Sequence, residues 1–507
     1  MNIESITGTL SGIVVALGWA GGIVLLVLLV MFIQDLVQRE HTVRRNFPVI
    51  GRLRYFLERQ GEFFRQYFFA GDRQEMPFNR ATRTWIYRNA KDLGGNIGFG
   101  STNDLREPGS ILFVNAAFPV QEEERAPTPP LIIGEGYCTQ PFAARSLINC
   151  SAMSFGAVSV PAARALSVGT AQAGCWLNTG EGGLSEHHLS GGGDIIFQVG
   201  TAKYGIRDLD GQFAPQRARE IGRQVQAFEI KLSQGAKPGK GGILPGNKVT
   251  EEIARIRGIP AGRDSISPNR HPDISNMDEL LDFVVRLRDL SGRPVGVKSA
   301  VGSEQFIDDL IEAVLRRGLQ DAPDFLTLDG GEGGSGAAPQ ALADHMSLPI
   351  MEALPTVASR LIAAGLKPRI KLVASGKLAT SARAAWALCL GADFVNSARG
   401  FMFALGCIQS LKCHTNLCPT GITTHNKRLQ RGLVVGEKSQ RVANYVRAMN
   451  HEIDMIAHSC GVQHARELRR RHARIVQTAG KSLPLDVLFP YPHDSPPGKN
   501  GLSGTLG

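Results

Sequence analysis

Phe325-Leu-Thr-Leu-Asp329-Gly-Gly-Glu-Gly-Gly-Ser335-Gly336 sets an apolar run too short for a helix directly against a cluster of glycines. Helical patterns flank it at 303–317 and 342–364. The same phrase recurs along the chain. Short apolar runs at 147–152, 175–178, 194–199, 228–232, 295–299, 370–374 and 394–397 join 325–328 to make eight candidate strands. Further helical patterns at 160–173, 216–224, 277–290 and 381–390 separate most of the others. Strands alternating with helices imply a parallel sheet, and eight such units close into a (β/α)8 TIM barrel of the α/β class. A doubly wound open sheet would want an early G-x-G-x-x-G turn and a reversal of strand order, and neither is evident.

Around that barrel the chain reads as appendages. Its 507 residues exceed the usual size of one domain. The expected divisions are an N-terminal transmembrane anchor at 1–38, a membrane-proximal segment at 39–130 and the barrel at 131–435. A helical extension at 436–480 and a disordered tail at 481–507 follow. Residues 12–33 carry no charge and as a helix would cross a hydrocarbon core of about 30 Å. The start, Met-Asn-Ile-Glu, lacks the basic residue of a cleaved signal. Arg39, Arg44, Arg45, Arg52, Arg54 and Arg59 crowd the far side. The positive-inside rule then places a single-pass anchor in the inner (cytoplasmic) membrane, with the catalytic domain in the cytoplasm. Residues 52–69 have aromatics at helical spacing among arginines, fit either for the membrane interface or for packing on the body.

The net charge of +10 does not point to nucleic acid: the chain has neither an RNA-binding signature nor zinc-finger spacing. Affinity for a phosphorylated cofactor and for anionic lipid accounts for it as well. Eight cysteines, three of them clustered, form no secreted disulfide framework and fit a reducing compartment.

Chemistry concentrates where strands end, which in a barrel is the catalytic mouth. Small residues in Ser151-Ala-Met153-Ser154-Phe155-Gly156 let backbone amides approach a flat ring. Glu181 stands among glycines in Asn178-Thr-Gly-Glu-Gly-Gly183, a functional acid or a solvated loop carboxylate. Lys231 and Lys298 end the fourth and fifth strands, and a lysine there is costly unless something anionic meets it. That something is an anionic ligand, a reduced flavin or an internal ion pair. Gly330 and Gly331, Ser375 and Gly376, and Arg399 and Gly400 end the last three strands, where glycine-rich turns before helix starts form phosphate nests.

Cys407, Cys413 and Cys418, spaced C-x5-C-x4-C and followed by Pro419, are the remaining signal. Gathered thiols in a cysteine-poor chain read as ligands of a soft metal centre, and three suit a cluster with three ligated irons. Zinc would want a fourth ligand that His414 is badly placed to give. A loop of unligated buried cysteines is the plain alternative.

SAMSFGA, NTGEGG, EIKLSQGAKPGKGGILPG, SPNRHPDI, VKSAVG, LDGGEGGSGAAP and the cysteine cluster together resemble the FMN-binding synthase domain of glutamate synthases, over roughly residues 100–475. The chain is most similar to the stand-alone, membrane-anchored members of that family. The resemblance implies FMN and a [3Fe-4S] cluster held by Cys407, Cys413 and Cys418. In that family electrons pass from the cluster to FMN, and hydride then reaches 2-iminoglutarate made from 2-oxoglutarate and ammonia. Met153–Gly156, Gln198, Lys298, Gly376 and Gly400 would line the flavin, with Lys298 near its pyrimidine end. Glu181, Lys231 and Gln234 would face the substrate or the ammonia path. Lys203 stands where the family motif often has arginine, keeping charge without the bidentate fork.

The family's glutaminase domain, with its first-residue cysteine, and its C-terminal β-helix are not expected here, since residue 2 is Asn and the sequence stops soon after the barrel. A fused NADPH- and FAD-binding partner domain is likewise not expected. Ammonia and electrons would come from outside the chain. The expected activity is that of an oxidoreductase acting on CH-NH2 donors (EC 1.4). The expected partners are 2-oxoglutarate and ammonia, a separate electron donor (a ferredoxin, a reductase subunit or the quinone pool) and membrane lipid, with a homo-oligomer allowed. Two other readings stand beside this one: the same cofactors acting on another amino or 2-oxo acid, and an electron-transfer subunit of a membrane complex.

Overall fold

Eight short runs, buried on both faces and therefore apolar almost throughout, form one closed sheet in the computed structural model, which describes residues 3–208 and 210–492. They are β1 Ile148–Cys150, β2 Leu177–Asn178, β3 Ile195–Val199, β4 Ala227–Lys231, β5 Val295–Ser299, β6 Phe325–Asp329, β7 Lys371–Ser375 and β8 Phe394–Ser397. Each pairs in parallel with the next, and β8 closes on β1 with Val395 opposite Ile148 and Ser397 opposite Cys150. This is the expected TIM barrel. All eight strands lie where the apolar runs place them.

The chain divides after Ala81 into two compact units. In the first, α1 (Ile3–Val37) is followed by α2 (Thr42–Asn46) and α3 (Gly51–Phe64), which runs on as a wider turn through Arg65–Phe69. Ser11–Val37 is apolar and roughly 40 Å long, enough to cross a bilayer. In the second unit, the antiparallel pair Leu131–Ile133 and Phe142–Ala144 plugs the N-terminal end of the barrel. Phe142 meets Trp176 edge-on at 6.1 Å, Trp176 meets Phe394 at 5.0 Å, and Ile133 and Phe325 fill the same cluster. With that end closed, the polar chemistry is confined to the C-terminal mouth.

Helices cover the barrel outside: α4 Val160–Ala173, α5 Pro215–Gly222, α6 Met277–Ser291, α7 Gln305–Arg317, α8 Ile350–Ala363, α9 Ser381–Cys389 and α10 Val435–Ser459. Gly169 lets α4 and α10 touch, since a Cβ there would lie 2.6 Å from both Ser439 O and Val442 Cβ. Gly169→Ala is expected to cost about 1–3 kcal/mol by overpacking, measured as a thermal midpoint lowered by a few degrees. An unchanged midpoint would mean that α10 yields freely.

Three expectations need correction. The helical pattern at 342–364 is two helices, Gln340–His345 and α8. Pro349, the N-cap of α8, biases Leu348 to extended backbone and interrupts the pattern. The extension is not helical to its end. After Gly461 (φ +81°) it turns and forms the strand Ala473–Val476, between Ile111–Phe113 and Ser482–Pro484. The tail is therefore not disordered from residue 481. Ser482–Pro484 is a strand, Leu485–Leu488 a short helix, and buried Arg470 donates to Phe489 O (2.6 Å) and Pro490 O (3.0 Å). The remainder of that tail, from residue 493, lies outside the described residues.

Candidate active site

Parallel pairing brings the C-terminal ends of all eight strands together, so residues far apart in sequence face one mouth. At its centre is Glu229, buried in β4. Its Oε1 accepts from Asn178 Nδ2 (2.8 Å) and Gln198 Nε2 (2.6 Å), and its Oε2 from Thr327 Oγ1 (2.7 Å). Four strands are thereby tied through one carboxylate, which sets the rotamer of Gln198.

Two ion pairs flank this hub. Lys298 Nζ lies 3.6 Å from Asp329 Oδ2, and Asp329 also accepts from Ser375 Oγ (2.9 Å) and the Gly235 amide (3.0 Å). Burial alone would discharge Lys298, but Asp329 and Glu229 outweigh it and hold its pKa above the ordinary value. Burial alone would raise Asp329, and Lys298 reverses that. Lys231 Nζ donates to Glu181 Oε2 (2.8 Å) and Gln234 Oε1 (2.5 Å), with Lys237 Nζ 3.8 Å from Glu181 Oε1. Both strand-end lysines thus have an internal carboxylate, the alternative raised for Lys231 from the sequence. His271, neutral because burial pulls its pKa down to about 4, shares Lys231 O at 3.0 Å.

Burial would raise Glu181, but the charges of Lys231 and Lys237 bring its pKa from the ordinary 4.5 to about 2. A carboxyl lowered on folding stabilises the fold above pH 4.5 and loses that contribution as pH falls towards 2, on the order of 3 kcal/mol in all. Glu181→Gln should therefore be less stable than the parent in urea at pH 6, with the gap closing towards pH 3. A gap that does not move with pH would mean Glu181 is not ionised against the lysines.

The glycine turns at the late strands are partly spent inside the fold. The amides of Gly330, Gly331 and Gly333 donate to Ser375 O, Leu348 O and Gly330 O. Glu332 Oε2 takes the Ile350 amide at the start of α8 (3.0 Å), and Arg399 Nη2 donates to Glu332 O (2.6 Å). Gly400 is required by Tyr445, whose hydroxyl would lie 2.2 Å from a Cβ. Gly376 (φ +139°) and Lys377 (φ 48°) bend the end of β7 together. Of the late-strand turns, the Gly330 and Gly331 amides are thus engaged within the fold, while Gly376, Arg399 and Gly400 follow the ends of β7 and β8.

The Ser151–Gly156 loop is gripped from behind. Met153 O takes His188 Nε2 (2.9 Å), Phe155 O takes Arg257 Nη2 (3.2 Å), Gly156 O takes His425 Nε2 (2.9 Å) and Ala157 O takes Lys248 Nζ (3.0 Å). Since a carbonyl only accepts, both histidines carry their proton on Nε2, and the Ser185 amide on His188 Nδ1 (3.3 Å) agrees. Burial lowers both histidines, His188 to about 4. Sequence reasoning missed these four donors. They come from two short helices, a 3-10 turn and a loop, and carry no spacing signal.

Lys248 also reaches Cys413 O (3.3 Å), and Asn416 Nδ2 donates to Asn247 O (3.1 Å), so the cysteine loop is tied to the Ser151–Gly156 loop. Burial pushes the Cys407 thiol up to about 12 and raises Cys413. At Cys418 burial acts the same way, but the hydroxyls of Thr420 (3.3 Å) and Thr423 prevail and lower it. Gln409, Leu411 and Asn416 all have positive φ, a curled backbone costing roughly 1–2 kcal/mol per residue. Among the described residues, the trio of His, Cys, Asp or Glu with ligand atoms all within 4.8 Å of one another is Glu186, His187 and Glu252. The charges of Cys413 and Cys418 both raise Cys407, and that of Cys418 raises Cys413, so the three thiols share one electrostatic neighbourhood. A polynuclear centre fits that donor set; a single zinc does not.

Fold and mouth together define a TIM-barrel enzyme with its charged residues ordered at the C-terminal face. The model of the conserved region in glutamate synthase matches residues 112–463. A glutamate synthase large subunit-like protein of Bacillus subtilis is 40% identical over 499 residues, covering 90% of this chain and 94% of that one. The chain belongs to the glutamate synthase family and is a glutamate synthase-like oxidoreductase. The archaeal glutamate synthase [NADPH] of Methanocaldococcus jannaschii is 36% identical, over 66% of this chain and 63% of its own. This chain therefore spans less than two thirds of that relative. The flavin-binding domain of baker's yeast flavocytochrome b2 aligns with a TM-score of 0.46 at 15% identity, over 83% of this chain and 86% of that one.

Proposed function

We propose that the chain reductively forms glutamate from 2-oxoglutarate and ammonia, with FMN at the barrel mouth and a [3Fe-4S] cluster on Cys407, Cys413 and Cys418. The observation that carries this reading is the tie between two loops. Lys248 joins the cysteine loop to the Ser151–Gly156 loop, beside a mouth that holds the charged lysines. When bound, FMN supplies hydride chemistry and the cluster single-electron transfer. Lys298, kept charged by Asp329, offers a fixed cation to the pyrimidine end of a flavin, and Gln198, fixed by Glu229, a directed amide. Met153, Ser154, Phe155 and Gly156 border its ring, and Ser375, Gly376, Arg399 and Gly400 its phosphate. Lys231 and Lys237 are suited to a dianionic 2-oxo acid, and Glu181 keeps them in register. Condensation of ammonia with the oxo group releases water, and a hydride and a proton then complete glutamate.

The apolar α1 supports a single-pass membrane anchor. A ferredoxin, reductase subunit or quinone would be the electron source. The decisive experiment is anaerobic purification followed by reduction and mixing. The flavin should be reoxidised by 2-oxoglutarate plus ammonium and by neither alone. Reoxidation by a quinone analogue with no response to that mixture would replace this reading by a relay of electrons within a membrane complex.

A further inference from the structure

α1 does not simply end. Asp35, two residues before its terminus, is fully buried and takes Arg44 Nε (2.9 Å) and Nη2 (2.7 Å) on one oxygen. Its other oxygen takes Arg52 Nε (2.8 Å) and the Val49 amide (3.0 Å). The clasp folds the chain back at the end of the apolar helix and starts α3 there. Gly51 sits so tightly that a Cβ would lie 2.7 Å from Val43 O.

From that point the pattern is consistent. Leu53, Phe56, Leu57, Phe63 and Phe64 fall within about 120° of the helix circumference at 3.6 residues per turn. Tyr67, Phe68 and Phe69 continue beyond, and the rings of Phe64 and Phe68 are 5.8 Å apart. All eight are exposed, Phe68 by 75% and Phe69 by 77%. Arg54 lies beyond one edge of the stripe and Arg59 beyond the other, Gln60 interrupts it, Glu58 and Glu62 occupy the opposite pole, and Arg65 opens the wider turn. Among the described residues no ion pair engages Arg54, Arg59 or Arg65.

We infer that α3 and the turn after it form a second anchoring element. The apolar stripe enters the interface of the bilayer that α1 crosses, and the bordering arginines meet anionic headgroups. The inference rests on α1 being a membrane span. Three features select lipid over a protein partner. The clasp fixes α3 at the end of a bilayer-length helix, Arg54 and Arg59 flank the stripe where headgroups begin, and the acids point away. A stripe of exposed aromatics left in water would be an aggregation liability.

The test uses the full chain in vesicles of phosphatidylcholine and phosphatidylglycerol containing a lipid with a diazirine near the glycerol end of one acyl chain. Photolysis and mass spectrometry should find adducts both in 11–37 and in 53–68. Adducts at 53–68 should fall about fivefold or more in pure phosphatidylcholine, the size expected for losing attraction to even one basic residue. A triple variant, Phe56→Gln, Phe63→Gln and Phe64→Gln, should lose the adducts at 53–68 while keeping those at 11–37. Labelling of 11–37 alone in the parent overturns the inference and leaves the span standing, with the barrel or a second copy covering α3 instead. No labelling in either segment removes the span itself and this inference with it.

Discussion

Cys413→Ser should keep its flavin and lose reduction of that flavin by an external one-electron donor. Serine is nearly isosteric, and the Cys413 carbonyl that Lys248 holds survives the change, so the Ser151–Gly156 loop stays gripped. What disappears is one of the three sulfurs proposed to hold the cluster. The fall in transfer rate should reach at least roughly 100-fold, since losing even a supporting partner of a metal ligand costs 10–100-fold. Iron and sulfide should drop together. Dithionite, whose small radical anion reaches the flavin without the relay and delivers two electrons in successive steps, should still bleach it, which separates a broken relay from a broken barrel. An unchanged transfer rate would end the assignment of the cluster to these cysteines.

The barrel was legible because strands buried on both faces are written as short, largely apolar runs, several of which ended on turns such as Asp329-Gly-Gly that disfavour a helix. Lys231 and Lys298 stood out for the same reason: a charge at the end of an apolar run must be answered. What answered them was not visible, because Glu181 and Asp329 come from other strand ends and only barrel closure brings them near. Glu229 could have been found, since an acid inside Phe228-Glu-Ile-Lys231 carries the same signal as its lysine neighbour. The break at Pro349 was readable too, had steric bias on the preceding residue been weighed against helical spacing. His188, Arg257, His425 and Lys248 had no such signal. Each acts on a backbone carbonyl, and carbonyls are the same at every position of a sequence.

Lys248→Met tests whether that hidden layer matters, and it should separate the two loops without emptying either. Methionine fills the volume of the lysine stem and removes the ammonium that bridges Ala157 O (3.0 Å) and Cys413 O (3.3 Å). Both carbonyls then lose a charged donor, at about 1–3 kcal/mol for each acceptor left buried. His425 still holds Gly156 O, so flavin should remain bound, and the three thiols are untouched. Two quantities should move together. The midpoint potential of the proposed cluster should fall by on the order of 50 mV or more, because a positive charge on the Cys413 backbone would no longer favour its reduced state, even at an effective dielectric of about 20. Transfer from the proposed cluster to flavin should slow by about tenfold or more, since losing a group that supports a metal ligand costs 10–100-fold. Lys248→Arg keeps the charge and should restore most of the potential, whatever it does to the geometry. A purely structural lysine predicts a lower melting point in Lys248→Met with the potential unmoved, and that result would detach Lys248 from electron transfer altogether.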